Sequence, residues 1–204
     1  MIRILIGIIC FSNLAYALFE QCNEPFGQKL GASNQVVAYS NCNEKVNSHQ
    51  KNHLELDYPY REYYTGMKWQ SVEYARRWLI YNKGILIPRV ESAFSIWNLH
   101  HFKDLDGHLT VTIEKHLNKQ SRHSPQVGDL VIYNQELCKN GHVSVVVGIK
   151  PDSIMLAEQN YFNLPWEGID YARRLDLRHT DSGGFWIVDN HIIGWLHPKR
   201  YSLF

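Results

Sequence analysis

Three positions in this chain combine residue types and local settings suited to attack on a carbonyl. Ser71 opens the run Ser71-Val72-Glu73-Tyr74-Ala75-Arg76-Arg77-Trp78-Leu79. There Val72, Ala75 and Leu79 recur at helical spacing, so the hydroxyl belongs in or near a helix's first turn. Unpaired backbone N–H groups at that end give a positive local potential, which stabilises an anion forming beside it. His142, in Asn140-Gly141-His142-Val143, stands at the start of a β-branched run and is a candidate base. Ala157-Glu158-Gln159-Asn160 closes the next apolar run with acceptors, and Glu158 or Asn160 can orient an imidazole. Gln70 or the backbone N–H of Ser71 is the candidate donor to an oxyanion. A nucleophile on a helix start, a strand histidine and an acceptor behind it suit nucleophilic acyl transfer.

Each of these residues also has a plainer role. Ser71 can serve only as an N-cap, although position 74 is Tyr rather than the Glu or Gln of a capping box. His142 is one of eleven histidines, and Glu158 can be an exposed carboxylate at a strand end. No Cys/His spacing resembles a zinc site, so neither a metal nor a cofactor is expected.

The elements that must position these residues follow from periodicity. The Ser71 helix is expected to end at Asn82-Lys83-Gly84, a basic last turn followed by a residue free to take positive φ. A second amphipathic helix is expected over Glu91 to Phe102, from Ala93, Phe94, Ile96, Trp97 and Leu99. Earlier, Phe26 to Gly31 and Val36 to Asn41 suggest a short strand and a turn, and Asn43 to Asp57 a charged surface loop. Past Gly128 the period changes. Asp129 to Tyr133, His142 to Gly148 and Ser153 to Glu158 read as strands of an antiparallel meander. Tyr171 to Arg178, Phe185 to Val188 and Ile192 to Leu196 are further candidates. Helices first and strands after imply an α+β fold, with N-terminal helices packed on an antiparallel sheet.

Composition bounds the partners. The 204 residues are 45% hydrophobic and 20% charged, with a net charge of +1, so neither nucleic acid nor an anionic membrane is an expected partner. Met1 to Ala17 reads as a secretory signal peptide: Arg3, an apolar run, then Ala15-Tyr16-Ala17 as a cleavage site. Residues 18–204 are then a single domain, exported to a periplasmic or extracellular space. No stretch is long and apolar enough for a stable membrane span. Of the cysteines left after cleavage, Cys22 and Cys42 can pair in an oxidising compartment, leaving Cys138 outside the bridge; spacing does not fix the connectivity.

The run Lys68-Trp69-Gln70-Ser71-Val72-Glu73-Tyr74-Ala75-Arg76-Arg77 resembles the nucleophile helix of the glutathionylspermidine amidase family, a CHAP group of papain-like cysteine amidases. Gly141-His142-Val143-Ser144-Val145 and Ala157-Glu158-Gln159-Asn160 resemble the same family's histidine and acid motifs, and Ile193-Gly194-Trp195 its terminal strand. The resemblance implies a papain-like CHAP fold, with Ser71, His142 and Glu158 as the catalytic set. It also implies supporting roles for Gln70 and Asn160. Arg76 and Trp69 are candidate substrate contacts beside them. One departure matters: Ser71 stands where the family carries its catalytic cysteine. A serine hydroxyl is far harder to ionise than a thiol, so the implied activity ranges from slow hydrolysis of an amide to binding without turnover. The implied substrate is a peptide-like or polyamine conjugate such as glutathione joined to spermidine; for an exported protein the alternative is peptidoglycan.

Overall fold

The computed structural model describes residues 22–43, 46, 48–57 and 60–199. The expected signal segment, Met1 to Ala17, lies outside them. In chain order the strands are β1 (Lys29–Ser33), β2 (Val36–Tyr39), β3 (Lys51–Asp57) and β4 (Tyr60–Met67), followed by the helix α1 (Ser71–Lys83). Then come β5 (Ile85–Leu86), a 3-10 turn (Phe94–Asn98), β6 (His101–Asp104), β7 (Thr110–Leu117), β8 (Leu130–Tyr133), β9 (Val143–Lys150) and β10 (Ser153–Ala157). β11 (Arg173–His179), β12 (Phe185–Ile187) and β13 (Ile192–Lys199) complete the set. Nine strands form one antiparallel sheet in the order β12-β11-β10-β9-β8-β13-β7-β6-β5, and β1-β2 and β3-β4 are separate hairpins.

Strand alternation builds two cores, one on each face of the sheet. In β8, Leu130 and Ile132 join a core that also holds Ala75, Trp78 and Leu79 of α1. Val131 and Tyr133 point the other way, into a core with Val146, Leu156, Leu177, Ile187 and Trp195. All four residues of β8 are buried, as expected of a strand covered on both faces. Each such large apolar side chain contributes about 2 kcal/mol of transfer free energy.

The sheet curls until its β12 end meets the turn after β7. Phe185 N–H donates to Ser121 O (2.7 Å), Lys119 N–H donates to Phe185 O (2.8 Å), and the Asn118 amide brackets the backbone of Ile187. This closure satisfies a strand edge that would otherwise stand open.

Only one α-helix is present among the described residues, so the expected pair of N-terminal helices is corrected to α1 alone. Over Glu91 to Phe102 the chain makes only the 3-10 turn at Phe94–Asn98. Ser92 Oγ accepts the N–H of Ser95, Leu99 turns extended (ψ 146), and β6 begins at His101. Asn43 to Asp57 is also corrected, since its second half is β3, paired residue by residue with β4.

Candidate functional site

The helix that carries Ser71 begins one residue earlier than a cap at Ser71 would require. Gln70 is the N-cap (φ −80, ψ 154), without a side-chain capping bond, and Ser71 is the first helical residue. Its backbone N–H is thus one of the orphan donors at a helix start. At the other end Gly84 takes φ 60 and donates its N–H to Ile80 and Leu79 carbonyls, the expected stop. The helix is buried nearly all round, charged residues included.

Those buried charges are paired. Arg77 Nε meets Glu73 Oε1 at 2.5 Å and Arg77 Nη2 meets Oε2 at 3.0 Å, one turn apart on α1. Asn52 and Thr65 donate to the same carboxylate from β3 and β4 (2.8 and 3.0 Å). Gly66 is needed for that approach: a Cβ there would lie 2.9 Å from Cβ of Glu73. Gln159 completes the set, donating to Glu73 Oε2 (2.8 Å) and to the carbonyl of Gln70 (3.0 Å).

His142 precedes β9 directly, and its carbonyl accepts the N–H of Tyr133 (3.0 Å), which pins the imidazole to the end of the sheet. Its Nε2 lies 2.7 Å from Glu158 Oε2, both residues 3% exposed. With Nε2 engaged, Nδ1 is the nitrogen left for a reacting group. Glu158 is clamped from behind by Arg173, whose Nε and Nη2 both donate to the carboxylate; Nη2 also reaches the Tyr133 hydroxyl (2.7 Å). The Arg173 guanidinium lies 3.6 Å from the centre of the Tyr161 ring, and Tyr161 in turn packs 5.2 Å from His142. Burial alone would push the Glu158 carboxyl up, but Arg173 and His142 overcome it and hold it below the ordinary range. The pair is therefore a buried carboxylate held ionised beside an imidazole.

Ser71 and His142 line one cavity of about 540 Å³, together with Gln70, Asn160 and Arg76. Glu158 lies behind the imidazole and does not line it. Ser71 Oγ makes no hydrogen bond among the described residues, and such contacts often tighten only once substrate is bound. The amide of Gln70 donates to Val46 O (3.2 Å) and accepts from Asn160 Nδ2 (3.1 Å), so these two supporting candidates are joined to each other.

The two expected substrate contacts fall differently. Arg76 lines the cavity, but the residue is 4% exposed and its guanidinium donates to the carbonyls of Thr65, Ile87 and Pro88. Trp69 does not line the cavity. Its ring lies against Tyr39 (4.3 Å between centroids) and under the Arg77 guanidinium, because the turn before α1 directs it toward β2. Arg173, Gln159, Glu73 and Tyr161 were not singled out by sequence. The register that sets Leu156 opposite Arg173 is the signal that places this arginine beside Glu158.

Among the described residues no group of three or more His, Cys, Asp or Glu is placed to hold a metal ion, and no helix is long and apolar enough to cross a membrane. Cys22 and Cys42 form a disulfide, and Cys138 Sγ lies 2.9 Å from Gly141 O.

Residues 62–160, which hold Ser71, His142, Glu158 and Asn160, match the CHAP domain. The chain is 30% identical over 188 residues to trypanothione synthetase of Crithidia fasciculata, covering 87% of this chain and 27% of that protein. It is 29% identical over 194 residues to the bifunctional glutathionylspermidine synthetase/amidase of Escherichia coli (strain K12), covering 88% of this chain and 30% of that protein. The chain thus spans less than a third of either curated relative. The solved structure of Ly7917 matches at 16% identity, over 63% of this chain and 53% of that one, with a TM-score of 0.34, too low to bear on the fold.

Proposed function

We propose, for a chain that belongs to the CHAP domain family, that the cavity at Ser71 binds an amide of a peptide-like substrate and hydrolyses it slowly. The observation that carries this reading is the buried His142–Glu158 pair, held by Arg173 and presenting one ring nitrogen toward the cavity that Ser71 lines. A site kept only for packing has no use for an ionised carboxylate buried behind an imidazole, since burying a charge costs several kcal/mol before its partners offset it (about that order).

In this mechanism Ser71 Oγ bonds to the amide carbon while its proton passes to His142 Nδ1. Glu158 stabilises the imidazolium through Nε2, and the Ser71 N–H at the helix start, with the Gln70 amide beside it, meets the oxyanion. His142 then gives the proton to the departing amine. Water repeats the sequence on the resulting ester, which releases the acid and restores the serine hydroxyl. Cysteine at this position would ionise readily next to an imidazole and a helix N-terminus; serine needs the base throughout the attack, which is the reason for slow turnover.

Similarity to a glutathionylspermidine synthetase/amidase makes glutathionylspermidine the first substrate to try. The Cys22–Cys42 disulfide favours an oxidising compartment and so supports export and a second candidate, the peptides of peptidoglycan. The test measures release of free amine from both substrates by the protein, by Ser71→Cys and by His142→Ala. The expected result is slow cleavage that rises roughly a hundred-fold with Ser71→Cys and falls by at least that factor with His142→Ala. Cleavage that is untouched by His142→Ala, or a Ser71→Cys protein that cleaves neither substrate, overturns the reading.

A further inference from the structure

Beside the Ser71 cavity lies a second cleft of about 330 Å³, sharing with it Tyr64, Met67, Arg76 and Val90. The residues that line this second cleft alone are Lys51, His53 and Arg89. Lys51 and His53 come from β3, and Arg89 from the segment after β5. No Asp or Glu lines the second cleft.

Three cations facing one cleft call for explanation, because like charges repel unless something anionic sits between them. Arg76 is buried with its donors on main-chain carbonyls, and no carboxylate pairs with it among the described residues. Arg89 is exposed and lies over the Tyr64 ring, 5.1 Å from its centre, also without a carboxylate partner among those residues. Burial lowers the pKa of the Arg76 guanidinium, and the charge of Arg89 adds to that effect. The nearby acids are otherwise placed: Glu62 pairs with His53 at 3.5 Å, Glu73 pairs with Arg77, and Glu91 lines the Ser71 cavity.

We infer that the cleft bounded by Lys51, His53 and Arg89, with Arg76 at its inner wall, binds a carboxylate that the substrate carries away from the reacting amide. The inference rests on the reading of the Ser71 cavity as the place where that amide sits. It narrows the substrate class: the portion reaching toward β3 is acidic, and a polyamine tail is repelled from that side. Lysine and arginine on the rim bring the anion in, and Arg76 sets how deep it goes.

The test titrates the whole protein with N-acetylglycyl-glutamic acid amide and N-acetylglycyl-lysine amide, two ligands that differ in the sign of one side chain. The expected result is at least roughly ten-fold tighter binding of the glutamate ligand, with the preference lost or reversed in a Lys51→Glu, Arg89→Glu double variant. Both positions are exposed, so folding is expected to persist; if thermal melting shows otherwise, Lys51→Gln with Arg89→Gln takes its place. Equal binding of the two ligands, binding of neither, or an unchanged preference in the double variant overturns the inference. Failure of the amidase reading shows elsewhere, as a Ser71→Cys protein that cleaves no amide while the charge preference remains.

Discussion

Gln159 Nε2 donates to the main-chain carbonyl of Gln70 at 3.0 Å, so the residue after Glu158 holds the residue before Ser71. The strand end that carries Glu158 and the helix that carries Ser71 are tied where the two elements approach. The same amide donates to Glu73, and its oxygen accepts from Arg77 Nη2 (3.2 Å) and from the N–H of Tyr39 (2.9 Å). Gln159 is 1% exposed and does not line the Ser71 cavity, which makes it a positioning residue.

Replacing Gln159 with Leu removes that tie and leaves polar groups of Glu73, Arg77 and Gln70 without a partner. A loss of about 2–3 kcal/mol in unfolding free energy is expected. On a Ser71→Cys background kcat is expected to fall by roughly ten-fold or more with little change in KM, since the cavity wall is intact and only the alignment is lost. Urea unfolding and steady-state kinetics on the same two proteins check both parts. An unchanged kcat would leave Gln159 a purely structural residue.

Arg173 controls the charge of Glu158. With Arg173 present, the carboxyl is held below its ordinary range against a burial effect of opposite sign. Its ionised form therefore contributes stability above the unfolded carboxyl value, and that contribution is lost as pH falls through the folded one. In Arg173→Met burial is countered by His142 alone, and the acid limb of the pH–rate profile and the acid-unfolding transition both move to higher pH. The cost at neutral pH is about 3 kcal/mol, typical of a buried charge that loses its partner. Identical acid limbs in the two proteins would contradict this role.

Much of this arrangement was legible before any coordinates. The apolar spacing of Val72, Ala75 and Leu79, with Gly84 beyond, located α1, and three short apolar runs bounded by turn residues located β8, β9 and β10. The β3–β4 hairpin was not legible because neither face of β3 is buried: His53 and Glu55 are exposed, and the apolar alternation is carried by Leu54 and Leu56 alone, both only half-buried. The supposed second helix misled for the opposite reason. Ala93, Ile96 and Phe102 are all buried, but they reach the core from a 3-10 turn and a strand rather than from one helical face. At the site, Ser71, His142 and Glu158 sit in local motifs, whereas Arg173 reaches Glu158 through strand pairing, which local sequence does not encode.

His197 and Asp129 form a second, separate pair, Nδ1 to Oδ1 at 2.7 Å, between β13 and the turn before β8. The hydrogen bond to Asp129 raises the pKa of His197, and burial opposes it. A raised histidine contributes stability that is fully present below its unfolded value and disappears as pH rises through the folded one. Asp129 is itself raised by burial, though His197 and the N–H of Gln126 pull against that shift. The deficit in melting temperature of His197→Gln relative to the parent is therefore expected to be larger near about pH 6 than near about pH 8.5, bracketing the ordinary histidine range. A deficit that grows with pH would refute the assignment.

One side chain, Asn118, reinforces the closure of the sheet beside the backbone bonds of Phe185 with Ser121 and Lys119, and its loss is expected to act on stability alone. Asn118 donates to Ile187 O (3.0 Å) and accepts the Ile187 N–H (2.9 Å), and Ile187 is fully buried. In Asn118→Ala the Ile187 N–H loses its partner away from water, while the Ile187 carbonyl keeps the N–H of Asp189 (2.8 Å), at a cost of about 2 kcal/mol. Neither Asn118 nor Ile187 lines the Ser71 cavity, so KM on a Ser71→Cys background is expected to stay unchanged while the melting temperature drops. Amide hydrogen exchange locates the effect: the Ile187 N–H exchanges faster in Asn118→Ala, whereas the N–H groups linking β8 and β9 keep their protection relative to global unfolding. If Ile187 exchange is unaffected, the curled edge is held by the neighbouring Phe185–Ser121 and Lys119–Phe185 backbone bonds and not by Asn118.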